Sequence, residues 1–261
     1  MKIVTWNVNS VNVRKNLLLK LIKDYKPEII CLQETKVVNS SFPQRVFEEL
    51  GYNCYLNGIP SYNGVAILSI PKAKNFKVYD YCKRNDGRHI EIDVCGLKVH
   101  SIYVPAGGDE PNEESNPKFK HKMEFVKKLS LLSKKLKSER LVFCGDLNIA
   151  PYEDDVWSHS QLKNVVSHTE LERNALLKVL NSGDLFDPIR KFINPPDNVY
   201  TWWSYRSPNY SVNNRGRRLD HIWASNNLSK RVHSAKILET FRSDFKPSDH
   251  VPVFVEIDSP K

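Results

Sequence analysis

No apolar run in this 261-residue chain approaches the roughly 18 residues that a membrane helix needs, which leaves no candidate for a membrane-spanning helix. A basic start followed by an apolar stretch and a small-residue cleavage site is also missing. The opening Met1-Lys2-Ile3-Val4-Thr5-Trp6 reads instead as a strand entering a core, and this places the protein in the cytoplasm. There is no CxxC pair, and the five cysteines, Cys31, Cys54, Cys82, Cys95 and Cys144, are odd in number. A zinc site and a disulfide framework are disfavoured together. Cys31, Cys95 and Cys144 sit in or beside apolar runs, as reduced core thiols do in a reducing compartment. Linkers, repeats and low-complexity stretches are absent too. Residues 1–261 are therefore read as one domain, at the upper end of what one core fills.

What the chain has in excess is positive charge. Thirty-nine Lys and Arg against 30 Asp and Glu leave +9, which suits a polyanionic partner such as nucleic acid. Many of these lysines fall between Lys118 and Lys137, where apolar residues recur at helical spacing. A solvated lysine face on a surface helix accounts for that run better than a binding patch does, so charge alone is weak support.

Short β-branched runs bounded by polar residues predict strands at Lys2–Val8, Ile29–Leu32, Gly64–Ser69, His89–Val94, Lys98–Val104, Arg140–Cys144, Leu219–Ser225 and Val251–Ile257. Helical spacing predicts helices at Arg14–Tyr25, Gln44–Leu50, Lys118–Leu136 and Glu170–Asn181. The last opens on Thr169-x-x-Glu172, a capping-box pattern, and stops before Gly183. Strands in both halves with helices between them imply an α/β fold of two packed sheets flanked by helices.

The chemistry gathers where these strands stop. Ile3-Val4-Thr5-Trp6 runs into Asn7, with Asn9 two further on; Ile29-Ile30-Cys31-Leu32 runs into Gln33-Glu34; and Ser101-Ile102 leads to Tyr103. Leu141-Val142-Phe143-Cys144 ends in Gly145-Asp146-Leu147-Asn148, while Asp220-His221 and Asp249-His250 flank two more strands. Residues two apart on a strand share a face, so Asn7 with Asn9, and Asp146 with Asn148, are expected to point together. Taken singly, an Asn is usually a turn residue and an Asp or His an exposed polar group. Clustered at the ends of buried strands, they need their repulsion relieved by a cation or by protonation. All-oxygen donors without cysteine suit Mg²⁺ or Mn²⁺.

Asn7-x-Asn9, Leu32-Gln33-Glu34-Thr35-Lys36, Gly64-Val65-Ala66, Tyr103-x-Pro105, Gly145-Asp146-Leu147-Asn148, Arg218-Leu219-Asp220 and Pro247-Ser248-Asp249-His250-x-Pro252 stand in an order and spacing similar to the exonuclease III family of abasic-site endonucleases. The resemblance runs from about Lys2 to Val255 and extends to the wider endonuclease/exonuclease/phosphatase superfamily. It implies a four-layered α/β sandwich and a Mg²⁺-dependent phosphodiesterase, with Mn²⁺ as a substitute. The implied activities are incision 5′ to abasic sites in duplex DNA, 3′-end clean-up and 3′→5′ exonuclease. It implies that Glu34 holds the metal with Asn7 or Asn9, with Asp249 at its edge and Lys36 behind. Asp146 orients or deprotonates water with Asn148 beside it, and either can complete the metal site. His250, held by Asp220, contacts the phosphate, as does Tyr103. Arg88, Trp202, Arg206, Arg215 and Arg217 meet DNA, with Trp202 against the abasic sugar.

One stretch departs from the pattern. Ala106-Gly107-Gly108-Asp109 has no long polar side chain to enter a duplex, whereas Trp202-Trp203-Ser204-Tyr205-Arg206 is rich in aromatic and basic groups. One of the two tryptophans is expected to be core. The substrate implied is double-stranded DNA with abasic sites or blocked or recessed 3′ ends, acted on by a monomer. The alternatives are a phosphodiesterase of non-DNA substrates and a non-catalytic nucleic-acid-binding regulator of the same fold.

Overall fold

Alternation along the strands decides the architecture. Ile3, Ile29 and Cys31 join one apolar cluster, while their neighbours Val4, Trp6, Ile30 and Leu32 join another. Such strands are buried on both faces, which requires a sheet with a layer on either side.

The computed structural model describes residues 1–207 and 210–258. Among them the strands are β1 (Lys2–Asn7), β2 (Ile29–Gln33), β3 (Asn53–Asn57), β4 (Val65–Ser69), β5 (Asn75–Tyr79), β6 (His89–Val94), β7 (Leu97–Tyr103), β8 (Leu141–Asp146), β9 (Leu185–Phe186), β10 (Asp220–Ser225), β11 (Val232–Ile237) and β12 (Val253–Ile257). The helices include α1 (Val11–Tyr25), a short α2 (Gln44–Glu48), α3 (Pro117–Lys135), a short α4 (His159–Leu162) and α5 (Glu170–Ser182). One six-stranded sheet runs β11-β12-β1-β2-β4-β3, the other β5-β6-β7-β8-β10-β9.

The inner faces meet through Ile3, Ile29, Cys31, Ile67 and Val255 on one side and Ile90, Ile92, Val99, Val142 and Ile222 on the other. Outside the first sheet, α1 lays down Leu17, Leu18 and Leu21; outside the second, Phe125, Val126 and Leu129 of α3 join Leu176 and Val179 of α5. Each such apolar side chain contributes about 1.5–3 kcal/mol by leaving water. The result is the four-layered α/β sandwich with two mixed sheets that the motifs imply.

Topology then sets where the site lies. β1 and β2 are parallel, as are β7 and β8, so four strands end at the same rim. β10 runs antiparallel to β8, and β12 antiparallel to β1, so their starts lie at that rim too. Gly145 makes the β7–β8 contact possible. At φ +151°, a Cβ there would stand 1.8 Å from Ile102 O, so no other residue fits.

All eight expected strands and four expected helices are present, with ends shifted by a few residues. The strands not foreseen, β3, β5, β9 and β11, are the four sheet edges. Two expectations are corrected. Cys95 is exposed rather than core, because it occupies the left-handed turn between β6 and β7. The lysines of α3 are not all solvated, because Lys122 is fully buried.

Candidate active site

Asn7 closes β1 and is completely buried. Its Nδ2 donates to Glu34 Oε1 at 2.9 Å and to Asp146 Oδ2 at 2.8 Å, tying a carboxylate of one sheet to a carboxylate of the other. Glu34 leaves β2 with φ +51°, a left-handed turn that is uncommon for a residue with a side chain. Its carboxylate also accepts from Tyr103 Oη at 2.8 Å and pairs with Lys36 Nζ at 2.8 Å. Burial opposes ionisation of Glu34, but Asn7 and Lys36 outweigh it and hold its pKa below the ordinary value. Tyr103 is pushed well above the usual phenol range, by burial first and then by Glu34 and Asp146.

Asn9 does not share the face of Asn7. It lies past the strand end at φ +44°, where alternation no longer applies. Its Nδ2 donates to Asp249 Oδ1 at 3.0 Å, and its Oδ1 accepts from Lys36 Nζ. Asn148, at φ +51°, departs in the same way. Its backbone N–H donates to Asp146 Oδ1 at 2.9 Å, and its side-chain amide turns to Val104 O at 2.9 Å.

Opposite stands His250, with Nδ1 2.8 Å from Asp220 Oδ2 and Nε2 3.7 Å from Asp146 Oδ2. Burial disfavours its cation, yet Asp220 and then Asp146 overcome that and raise its pKa to about 10. Asp146 is pushed up to about 7, by burial first, with Asp220 and Glu34 adding to it against His250 and Asn7. Asp249 accepts from Trp202 Nε1 at 3.0 Å; burial would raise its pKa, but His250, Trp202 and Asn9 bring it below the ordinary value.

Three supporting residues were not foreseen as such. Thr201 Oγ1 donates to Asp220 Oδ2 at 2.7 Å and accepts from the backbone of Leu219 and Asp220. Ser248 Oγ donates to Asn7 O at 2.7 Å, and Trp6 Nε1 donates to His250 O at 3.0 Å. Ser248 lies inside the quoted Pro247–Pro252 motif; Thr201 carries no local signal.

The residues expected to meet DNA are distributed around this cluster. Arg88 lies over the Tyr103 ring at 4.7 Å and is paired with Asp86 at 2.5 Å. Trp202 is half-buried, while Trp203 is the core member of the pair. Arg206 is exposed. Arg215 lies over Trp157 at 4.6 Å. Arg217 reaches Ser167 Oγ at 2.7 Å, with its guanidinium 5.5 Å from the Trp202 ring centre. Arg218 is not part of an open basic loop; it is buried against Asp187 and Asp155. Loop residues Ala106 and Asp109 are exposed, and Gly107 is buried.

Carboxylates joined through Asn7, with Asp146 buried and its pKa raised by burial, form a natural seat for a hard cation. Glu34, Asn7, Asp146 and Asp249 offer only oxygen and amide groups. Asp146, Asp220 and His250 also lie with ligand atoms within 4.8 Å of one another, but Asp220 and His250 are engaged with each other. Hard donors crowded at one rim of such a sandwich define a class, the metal-dependent phosphoester hydrolases.

Comparison with known proteins narrows this. A model of the endonuclease/exonuclease/phosphatase family matches residues 4–250, and the chain belongs to that family. An exodeoxyribonuclease III of Haemophilus influenzae is 30% identical over 98% of this chain and 99% of its own length. The structure of an AP endonuclease from Archaeoglobus fulgidus superposes with a TM-score of 0.92 at 34% identity, covering 99% of both chains. A 3′ phosphatase from Neisseria, bound to a product DNA hairpin, gives 0.92 at 30% identity, again over 99% of both. Among the described residues no helix is long and apolar enough to cross a membrane.

Proposed function

We propose that this protein is a Mg²⁺-dependent DNA repair phosphodiesterase that incises duplex DNA 5′ to abasic sites and trims blocked or recessed 3′ ends, including by 3′→5′ exonuclease action. The observation that carries the reading is the meeting of Glu34, Asp146 and the Asp220–His250 pair at one rim, joined through Asn7. Full-length kinship with DNA repair nucleases supports the substrate class.

Hydrolysis of a phosphodiester needs an oriented water, a place for its proton and positive charge on the non-bridging oxygens. Asp146, with a pKa near 7, is matched to taking the proton, and the Asn148 N–H fixes its other oxygen. His250, cationic at neutral pH, faces the phosphate as a charged donor; Asp220 stabilises that charge and fixes the orientation of the ring. Tyr103 contributes a neutral hydroxyl from the opposite side. Glu34 is the anionic metal ligand, with Asn7 and Asp249 beside it. Asn9 and Lys36 hold those carboxylates in place, and Asp146 and Asn148 stand near enough to complete the set. A bound Mg²⁺, or Mn²⁺ in its stead, supplies several kcal/mol of charge stabilisation. Arg88, Arg206, Arg215 and Arg217 line the DNA path, and Trp202 covers the sugar. The enzyme is read as a single-domain cytoplasmic monomer; five free cysteines are in keeping with a reducing compartment.

A synthetic duplex with one abasic analogue, beside an intact control and with Mg²⁺ present or chelated, tests this directly. Cleavage 5′ to the analogue only with Mg²⁺ is the expected result. No cleavage of either duplex at any Mg²⁺ concentration would overturn it.

A further inference from the structure

One charged pair lies wholly inside the protein and takes no part in the chemistry above. Lys122 of α3 and Glu172 of α5 are both 0% exposed, with Nζ 2.5 Å from Oε1. Burying such a pair costs several kcal/mol per ion unless hydrogen bonds satisfy both ends. Here they do. The three donors of Lys122 meet Glu172 Oε1, Asn148 O at 2.8 Å and Ala106 O at 3.2 Å. Glu172 accepts in addition from Ser167 N at 2.9 and 3.0 Å, from Thr169 N at 3.2 Å and from Thr169 Oγ1 at 2.7 Å.

The two carbonyls are the informative part. Asn148 O ends the Asp146–Asn148 segment that leaves β8, and Ala106 O ends the Tyr103–Ala106 segment that leaves β7. The Asn148 amide links the same two segments through Val104 O. The loop closes directly on the lysine stem: at Gly107, φ +93°, a Cβ would stand 2.9 Å from Lys122 Cδ and 3.1 Å from Val166 Cγ1. The network continues outward, because Ser167 Oγ accepts from Arg217, whose guanidinium lies over Trp202.

We propose that Lys122 is a positioning residue for catalysis, its Glu172-balanced ammonium fixing the Asp146–Asn148 and Tyr103–Ala106 segments against each other. The proposal rests on the phosphodiesterase reading. An apolar pair of similar volume fills the same space and leaves no uncompensated charge in the interior. It offers nothing to the two carbonyls, so the contribution of the ion pair is directional.

Lys122→Met/Glu172→Leu removes both charges together and is compared with wild type on the abasic duplex at saturating Mg²⁺. The expected result is a cooperative thermal melt, kcat lower by about 10–10²-fold and KM for DNA within about twofold of wild type. A folded double variant with unchanged kcat overturns the proposal, as does one whose loss lies wholly in KM. Should the double variant not fold, the almost isosteric Glu172→Gln decides: reduced kcat at constant KM supports the proposal, and unchanged kcat overturns it. Wild-type turnover in the same assay keeps failure of this inference apart from failure of the underlying reading.

Discussion

Asp220 is too deeply buried to meet a substrate, and the side chain through which it would act on one is His250, to which it is hydrogen-bonded. Asp220→Asn keeps the shape and the Thr201 contact but removes the charge that outweighs burial at His250. A hydrogen bond to a charged group is worth about 1.5–3 kcal/mol, and about 1.4 kcal/mol is tenfold in rate. Asp220→Asn is therefore expected to lower kcat by about 10–10²-fold. His250→Ala deletes the donor itself and is expected to cost about 10²–10³-fold. If Asp220 acts only through His250, the double variant is no slower than His250→Ala alone. Single-turnover hydrolysis of the abasic duplex measures this, with melting curves to show that each variant folds. Losses that multiply, to about 10³–10⁵-fold in a double variant that melts like wild type, would refute the arrangement.

Glu34→Gln keeps the side-chain volume and loses the anion, so turnover should fall by orders of magnitude at every Mg²⁺ concentration; a titration that restores wild-type rate would remove Glu34 from the metal site. Trp202→Ala should reduce abasic incision far more than digestion of a recessed end. Because its indole N–H also holds Asp249, Trp202→Phe separates ring from hydrogen bond, and equal loss of both activities in Ala and Phe variants would assign Trp202 to Asp249 rather than to the sugar. Acid should unfold the protein by a route remote from the site: burial, and then Lys77, lowers His89 to about 3, and burial, then His89, drives its partner His100 well below the ordinary value. Stability held by these neutral rings is full above their unfolded pKa of about 6.5 and is lost as pH falls, for His89 down to about 3, by about 1.4 kcal/mol per pH unit for a ring kept neutral in the fold. Denaturant midpoints measured from pH 7 to 4 should show that slope, and His89→Phe should flatten it; an unchanged slope in the variant places the acid sensitivity elsewhere.

The interior strands were legible because burial on both faces demands unbroken apolar runs such as Ile29–Leu32, and such runs need no knowledge of their neighbours. The edges were not. β5 is exposed over most of its length, β3 is nowhere fully buried, β9 has two residues, and β11 mixes buried with exposed positions, so no period stands out. The site was legible for a related reason, since polar groups that end buried strands are conspicuous against them. What escaped were contacts between residues far apart in sequence. Asn9 reads as a companion of Asn7, yet its amide is committed 240 positions away, to Asp249. Lys122 reads as one more lysine on a wet helix face, because α3 alone does not show that α5 brings an acid against it. Glu172 was legible as half of a capping box, but not as the counter-ion of Lys122.

The pairing of β1 with β12 has a consequence for the life of the chain before it is whole. The residues just ahead of β12 include Asp249 and His250, and the docking of β12 along β1 helps to bring them beside Asn9 and Asp146. A growing chain still threaded through the ribosome at residue 240 holds Glu34 and Asp146 without the histidine that faces them. So does a chain clipped by a protease ahead of that point. In such a chain the two halves of the site are not yet together, and the step that completes the sheet also completes the site.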